Sequence, residues 1–112
     1  MYLTIVEWDL TRSSIMMREL RDYLRDYAVE AYSGLEGMRL KTWYSSLNGR
    51  FWGAVYLWDS AEDMSGSERI SRAIELIGYA PTSVSVFQVE AITEGRSRHG
   101  ALAGIGLAME TT

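Results

Sequence analysis

The segment Phe51-Trp52-Gly53-Ala54-Val55-Tyr56-Leu57-Trp58 constrains this chain more than any other. Its aromatic and β-branched residues suit a strand, yet no polar residue appears at alternate positions. A strand with one face in water alternates, whereas a strand that does not must be covered on both faces. A chain of 112 residues builds one core, enough for one cover. The second cover therefore falls to another chain, and the expected assembly is a homodimer.

The rest of the sequence supplies the first cover. Residues 2–8 (Tyr-Leu-Thr-Ile-Val-Glu-Trp) read as a strand. Residues 15–32 place Met16, Leu20, Tyr23, Tyr27 and Ala31 at helical spacing, with Arg18, Asp22, Arg25 and Asp26 on the opposite face. Ser13 or Ser14 is the expected cap of that helix, and Gly34 its left-handed stop. Residues 38–46 and 51–58 flank Asn48-Gly49, a dipeptide that favours a tight hairpin. A second helical region begins near Asp59, with a break expected at Gly66, and runs to Gly78 with Pro81 beyond. Residues 84–92 then alternate as a last strand. The order β-α-β-β-α-β predicts an α+β, ferredoxin-like domain over residues 1–94, with an antiparallel sheet and both helices on one face. Residues 95–112 turn Gly- and Ala-rich and read as a tail, flexible or docked on the partner subunit.

Composition removes several functional classes. With no cysteine, neither disulfides nor thiolate chemistry is available, and the single histidine, His99, cannot supply both a metal site and a base. No metal site is expected. A net charge of −4 disfavours a nucleic-acid partner, because phosphate binding needs clustered cations. No apolar run is long enough to span a bilayer, and an N-terminus carrying Glu7 and Asp9 resembles no export signal, so a cytoplasmic location is expected. A small neutral or weakly polar ligand fits this balance.

Three stretches carry a resemblance: Leu40-Lys41-Thr42-Trp43, Trp52 through Ser60, and Gly78-Tyr79-Ala80-Pro81 followed by Ser85-Val86-Phe87-Gln88-Val89. In this order they resemble the YdhR-like branch of the antibiotic biosynthesis monooxygenase superfamily, over roughly residues 1–94. The resemblance implies a dimeric α/β barrel, with a pocket in each subunit between sheet and helices. It also implies oxidation of a small aromatic or polyketide-like substrate by dioxygen with no metal or flavin cofactor. Family members without a cofactor often carry an Asn on the first strand, whereas here that strand has Glu7 and Trp8. Haem-degrading relatives use a histidine on the second helix, so His99 in the tail gives no reason to expect haem.

Such an oxidation needs a base in a dry pocket, to make an electron-rich carbanion that reduces dioxygen. Glu7, on an otherwise apolar strand, is the candidate base, because burial raises a carboxyl pKa. Its alternative is an ion pair with Arg39 or Lys41. Trp58, matched to the family's pocket tryptophan, is the other catalytic candidate, and a strand period of two sends Trp52, Ala54 and Tyr56 to its side. With Trp43, Tyr23 and Tyr27, the residues Trp52 and Tyr56 form the expected substrate-binding set; ordinary core packing is the competing role for each. A cyclase or isomerase of the same fold, and a non-catalytic ligand-binding dimer, are the alternative functions.

Overall fold

Four antiparallel strands make one sheet in the order β2-β3-β1-β4, formed by β1 (Tyr2–Asp9), β2 (Met38–Ser45), β3 (Phe51–Trp58) and β4 (Ser83–Gln88). This computed structural model describes residues 1–96 and 105–110, so His99 lies outside the described residues. The strand order with its two crossovers is the ferredoxin-like arrangement that the element order predicts. The Asn48-Gly49 turn closes the hairpin, with Gly49 at φ 73° and its N–H donating to Ser46 at 3.0 Å. β4 ends at Gln88, four residues short of the expected strand. Its only neighbour is β1, whose first strand residue, Tyr2, is the one that pairs with Gln88.

Register sorts the strand residues into two faces. On one, the row Val86–Thr4–Tyr56–Lys41 crosses all four strands, and the row Val84–Val6–Ala54–Trp43 lies beside it. On the other, the rows are Phe87–Leu3–Leu57–Leu40 and Ser85–Ile5–Val55–Thr42. Helices cover the first face over β1, β3 and the inner side of β2. Trp8, Trp52, Ala54, Tyr56 and Trp58 are buried there, while Val84 and Val86 on β4 stay exposed.

The first helical stretch is α1 (Met17–Tyr23), a π-helical turn Leu24–Ala28, and α2 (Val29–Ser33). Leu20, Leu24, Ala28 and Tyr32 are its buried residues, at a spacing of four. An unbroken α-helix would rotate that stripe off the core, and the wider π turn restores its phase. This is why Tyr32, outside the expected stripe, is buried while Tyr27 and Ala31 are only half-buried. Two sequence expectations are corrected here. Met16 takes the cap position without a side-chain bond, because Ser13 Oγ accepts from Ile15 and donates to Ile77 O at 2.6 Å. Gly34 has φ −102°, and the left-handed residue is Gly37 instead.

The second region is a 3-10 helix over Glu62–Arg69 followed by α3 (Ala73–Ile77). Gly66 does not break it; the interruption falls at Ser71 and Arg72, where Arg72 N–H donates to the Tyr23 hydroxyl, and Ile70 O just before it accepts from Tyr27. Gly78, at φ 104°, ends α3 as expected. In the tail, the turn Leu107–Met109 packs on the same chain, with Ala108 buried and its carbonyl accepting from Arg25.

Candidate functional site: a caged lysine between sheet and helices

Lys41 is the only lysine in the chain; every other side-chain cation of the Lys/Arg type is an arginine. It stands on edge strand β2, in phase with Trp43 and opposite Tyr56, so the pleat turns it under the helices. Its Nζ lies 3.4 Å from the ring centre of Tyr32, 4.2 Å from that of Tyr56 and 4.4 Å from that of Trp43. It donates to Tyr56 Oη at 2.6 Å. Among the described residues, no carboxylate lies within 4 Å of it. Removal from water without a counter-charge pushes the amine down to about 6. Arg39, its neighbour on the strand, points away into solvent toward Asp59.

The rings of the cage brace one another. Tyr32 meets Trp43 edge to face at 5.6 Å, and Tyr56 stacks on Trp58 at 5.1 Å. Trp58 Nε1 in turn donates to the buried Thr4 hydroxyl at 3.0 Å. Ser67 Oγ sits between the hydroxyls of Tyr32 and Tyr56, at 2.8 and 3.0 Å, which gives a continuous chain from Lys41 Nζ through Tyr56 to Ser67 and Tyr32. Burial, followed by the nearby Tyr32, holds the Tyr56 hydroxyl well above the ordinary phenol range. That phenol is a proton carrier only while it stays neutral.

A cavity of about 10 Å³ adjoins the cage, lined by Lys41, Trp43, Tyr56, Trp52, Tyr23 and Ser71 among others. It is the size of one water molecule. A much larger depression of about 630 Å³ opens between α2 and residues 62–70, but Glu30, Glu36, Glu62 and Asp63 line it and no aromatic ring does. The small cavity is the better candidate, because it alone joins apolar walls to convergent polar groups.

The sequence-derived residues distribute unevenly around it. Tyr23, Trp43, Trp52 and Tyr56 line the cavity. Tyr27 stacks on Tyr23 at 5.8 Å, and its hydroxyl donates to Ile70 O at 2.9 Å. The Tyr23 hydroxyl accepts from Arg72 N–H at 3.1 Å, and burial raises its pKa. Both hydroxyls thus hold the cover segment down rather than facing the cavity. Trp58 stands one layer behind, supporting Tyr56.

Glu7 is on the opposite face of the sheet and does not converge with Trp58 or Tyr56. In place of the expected ion pair it accepts a hydrogen bond from Tyr44 Oη at 2.8 Å. The two side chains meet across Gly53, which pairs with both residues; a Cβ there would lie 2.5 Å from the Tyr44 hydroxyl. Burial, and then the Glu7 carboxylate, push the Tyr44 hydroxyl up to about 12. Lys41 was legible only in part: its alternation with Trp43 was in the sequence, but the rings of Tyr32 and Tyr56 come from other elements.

No family model and no curated protein sequence matches the chain. Its fold is similar to that of several solved structures. A protein of Chloroflexus aurantiacus assigned to the antibiotic biosynthesis monooxygenases is 16% identical with a TM-score of 0.56, covering 86% of this chain and 98% of its own. A monooxygenase of Streptomyces coelicolor, in complex with the ligand nanaomycin D, is 13% identical with a TM-score of 0.57, covering 84% and 91%. A protein of Nitrosomonas europaea with the same assignment is 11% identical with a TM-score of 0.59, covering 81% and 100%. The chain therefore has the fold of antibiotic biosynthesis monooxygenase domains.

Proposed function

We propose that this protein is a small-molecule oxygenase that binds a phenolic or enolic aromatic compound, polyketide-like in shape, at the caged-lysine site and oxidises it with dioxygen, without metal or flavin. The observation that carries this reading is the Lys41 amine, set among aromatic faces with no carboxylate partner among the described residues. A neutral amine is a base; Glu7, on the other face, would leave this role to it. The fold shared with the nanaomycin D complex supports a small-molecule ligand for this fold.

Lys41 takes a proton from the activated C–H of the bound substrate, and the Tyr56–Ser67 chain carries charge rearrangement away from the ammonium. The resulting carbanion gives one electron to dioxygen, the radical pair combines to a carbon-bound peroxide anion, and the Lys41 ammonium returns its proton to give the hydroperoxide. Loss of water across the C–O unit leaves a carbonyl, so a CH₂ group and O₂ become C=O and H₂O. All electrons come from the substrate.

A one-ring ligand needs far more than 10 Å³, so residues 62–72 must lift. They are held largely by the hydroxyls of Tyr23, Tyr27 and Tyr32, which suits a gate that opens without unfolding the core. The second apolar face, with Leu40 and Phe87 about half exposed, supports a homodimer packed sheet to sheet over the row Phe87–Leu3–Leu57–Leu40.

Dioxygen uptake by the metal-free protein with a panel of phenolic and enolic aromatics tests the reading. Lys41→Met is expected to lower kcat by roughly 10²- to 10⁴-fold while the fold is kept. Equal turnover without oxygen would replace the oxygenase with a cyclase or isomerase. No turnover and no ligand binding would end it.

A further inference from the structure

We propose that Lys41 is also a nucleophile, capturing small neutral aldehydes as imines within its aromatic cage. The inference concerns a covalent step and does not rest on the oxidation, because it needs no dioxygen; it shares with that reading only the lifting of residues 62–72, since even a short aldehyde is larger than one water molecule.

Imine formation needs four things of an amine, and the geometry supplies each. The nitrogen must have its lone pair free, and among the described residues no carboxylate within 4 Å holds it as an ammonium ion pair. Desolvation favours the same neutral form. It must have space beside it for a carbonyl carbon, and the adjoining cavity of about 10 Å³, which abuts Lys41, Tyr56 and Ala54, is the start of that space and widens as residues 62–72 lift. It must have a proton carrier, and Tyr56 Oη is 2.6 Å away, backed by Ser67 Oγ at 3.0 Å. Finally, the iminium product must be stabilised without a counter-ion. The faces of Tyr32, Tyr56 and Trp43, at 3.4, 4.2 and 4.4 Å, provide that through their quadrupoles.

The step balances simply. Lys41 Nζ attacks the carbonyl carbon, its two N–H protons pass in turn through Tyr56 to the carbonyl oxygen, and that oxygen leaves as water as the C=N bond forms; a proton from solvent converts the imine to the iminium that the rings hold. The absence of charged groups in the cage selects neutral aldehydes over aldehydo-acids, and the small cavity selects short ones.

The composition makes the test clean, because Lys41 Nζ and the Met1 α-amine are the only primary amines of the chain. The native protein is treated at pH 7 with acetaldehyde and cyanoborohydride, which reduces an imine to a stable secondary amine. Cleavage after arginine separates the two sites into residues 1–12 and 40–50. Lys41 should be ethylated about tenfold faster in the native protein than in urea, where its amine is an ordinary protonated lysine. Its native rate should level off at a lower pH than the unfolded rate does. Tyr56→Phe, which keeps the ring and removes the hydroxyl, should slow capture several-fold. Labelling of Lys41 only after unfolding, or a native rate equal to or below the unfolded one, overturns the proposal. Dioxygen uptake without Lys41 labelling would sink this inference and leave the oxygenase reading; labelling without uptake would do the reverse.

Discussion

Replacing Lys41 with methionine should make the protein more stable at neutral pH, although it removes a hydrogen bond. The amine lies at about 6 in the folded state and 10.5 when exposed, so at pH 7 folding must strip a proton from it at a cost of about 5 kcal/mol. The lost hydrogen bond to Tyr56 and the imperfect fit of a thioether in place of the amine take back about 2 kcal/mol, so removing the amine wins by about 3 kcal/mol. Tyr56 Oη keeps Ser67 as a partner at 3.0 Å and is not orphaned. Methionine has a similar reach, and its sulfur is well received by aromatic rings. The sign follows from proton binding. Between the folded and unfolded pKa values the unfolded chain holds the extra proton, so wild-type stability rises with pH from about 6 toward about 10. Above pH 10 the raised Tyr44 and Tyr56 reverse the slope, because the unfolded phenols ionise first. Urea unfolding followed by tryptophan fluorescence at pH 6, 7, 8 and 9 reads both effects. Lys41→Met should be about 3 kcal/mol more stable at pH 7, with a flatter pH dependence. A variant less stable than wild type, with the slope unchanged, would show that the cage is built to hold an ammonium ion and would remove the base.

Three further outcomes are expected. Gly53→Ala should cost about 2 kcal/mol or more by urea midpoint, because the new Cβ meets the Tyr44 ring at 2.5 Å and the immovable Val6 carbonyl at 2.6 Å; adding Tyr44→Ala should recover only part of the loss. Glu7→Gln should lower the Tyr44 pKa from about 12 in an ultraviolet titration without returning it to the free value, since burial is the larger cause. Ser67→Ala, which removes the link between Tyr32 and Tyr56, should destabilise by about 1 kcal/mol and speed amide exchange in residues 62–72 more than in the strands; uniform exchange would argue against a separately opening cover.

Much of the scaffold follows from local rules. Asn48-Gly49 specifies the hairpin, Gly78 ends α3, and the period of two sends Trp52, Ala54, Tyr56 and Trp58 to one face, where all four are buried. These features depend on neighbours in the chain, so residue order suffices to read them. The same local reading misjudged the first helix: Tyr32 reaches the core because of a π turn, which no simple 3.6-residue count contains.

The site itself depends on pairings that no single segment carries. Glu7 and Lys41 are each a charged residue flanked by apolar ones two positions away on at least one side, and sequence alone gives no reason to separate them. Register does: Glu7 falls in line with Gly53 and Tyr44 on one face, Lys41 with Tyr56 and Thr4 on the other. The helices cover only the face of Lys41, so of these two it is Lys41 that loses water, with no carboxylate partner among the described residues. The sequence by itself thus determined a two-faced sheet rich in aromatics. Tertiary structure decided which charge lies among them, because strand pairing and helix placement set the local dielectric around each group.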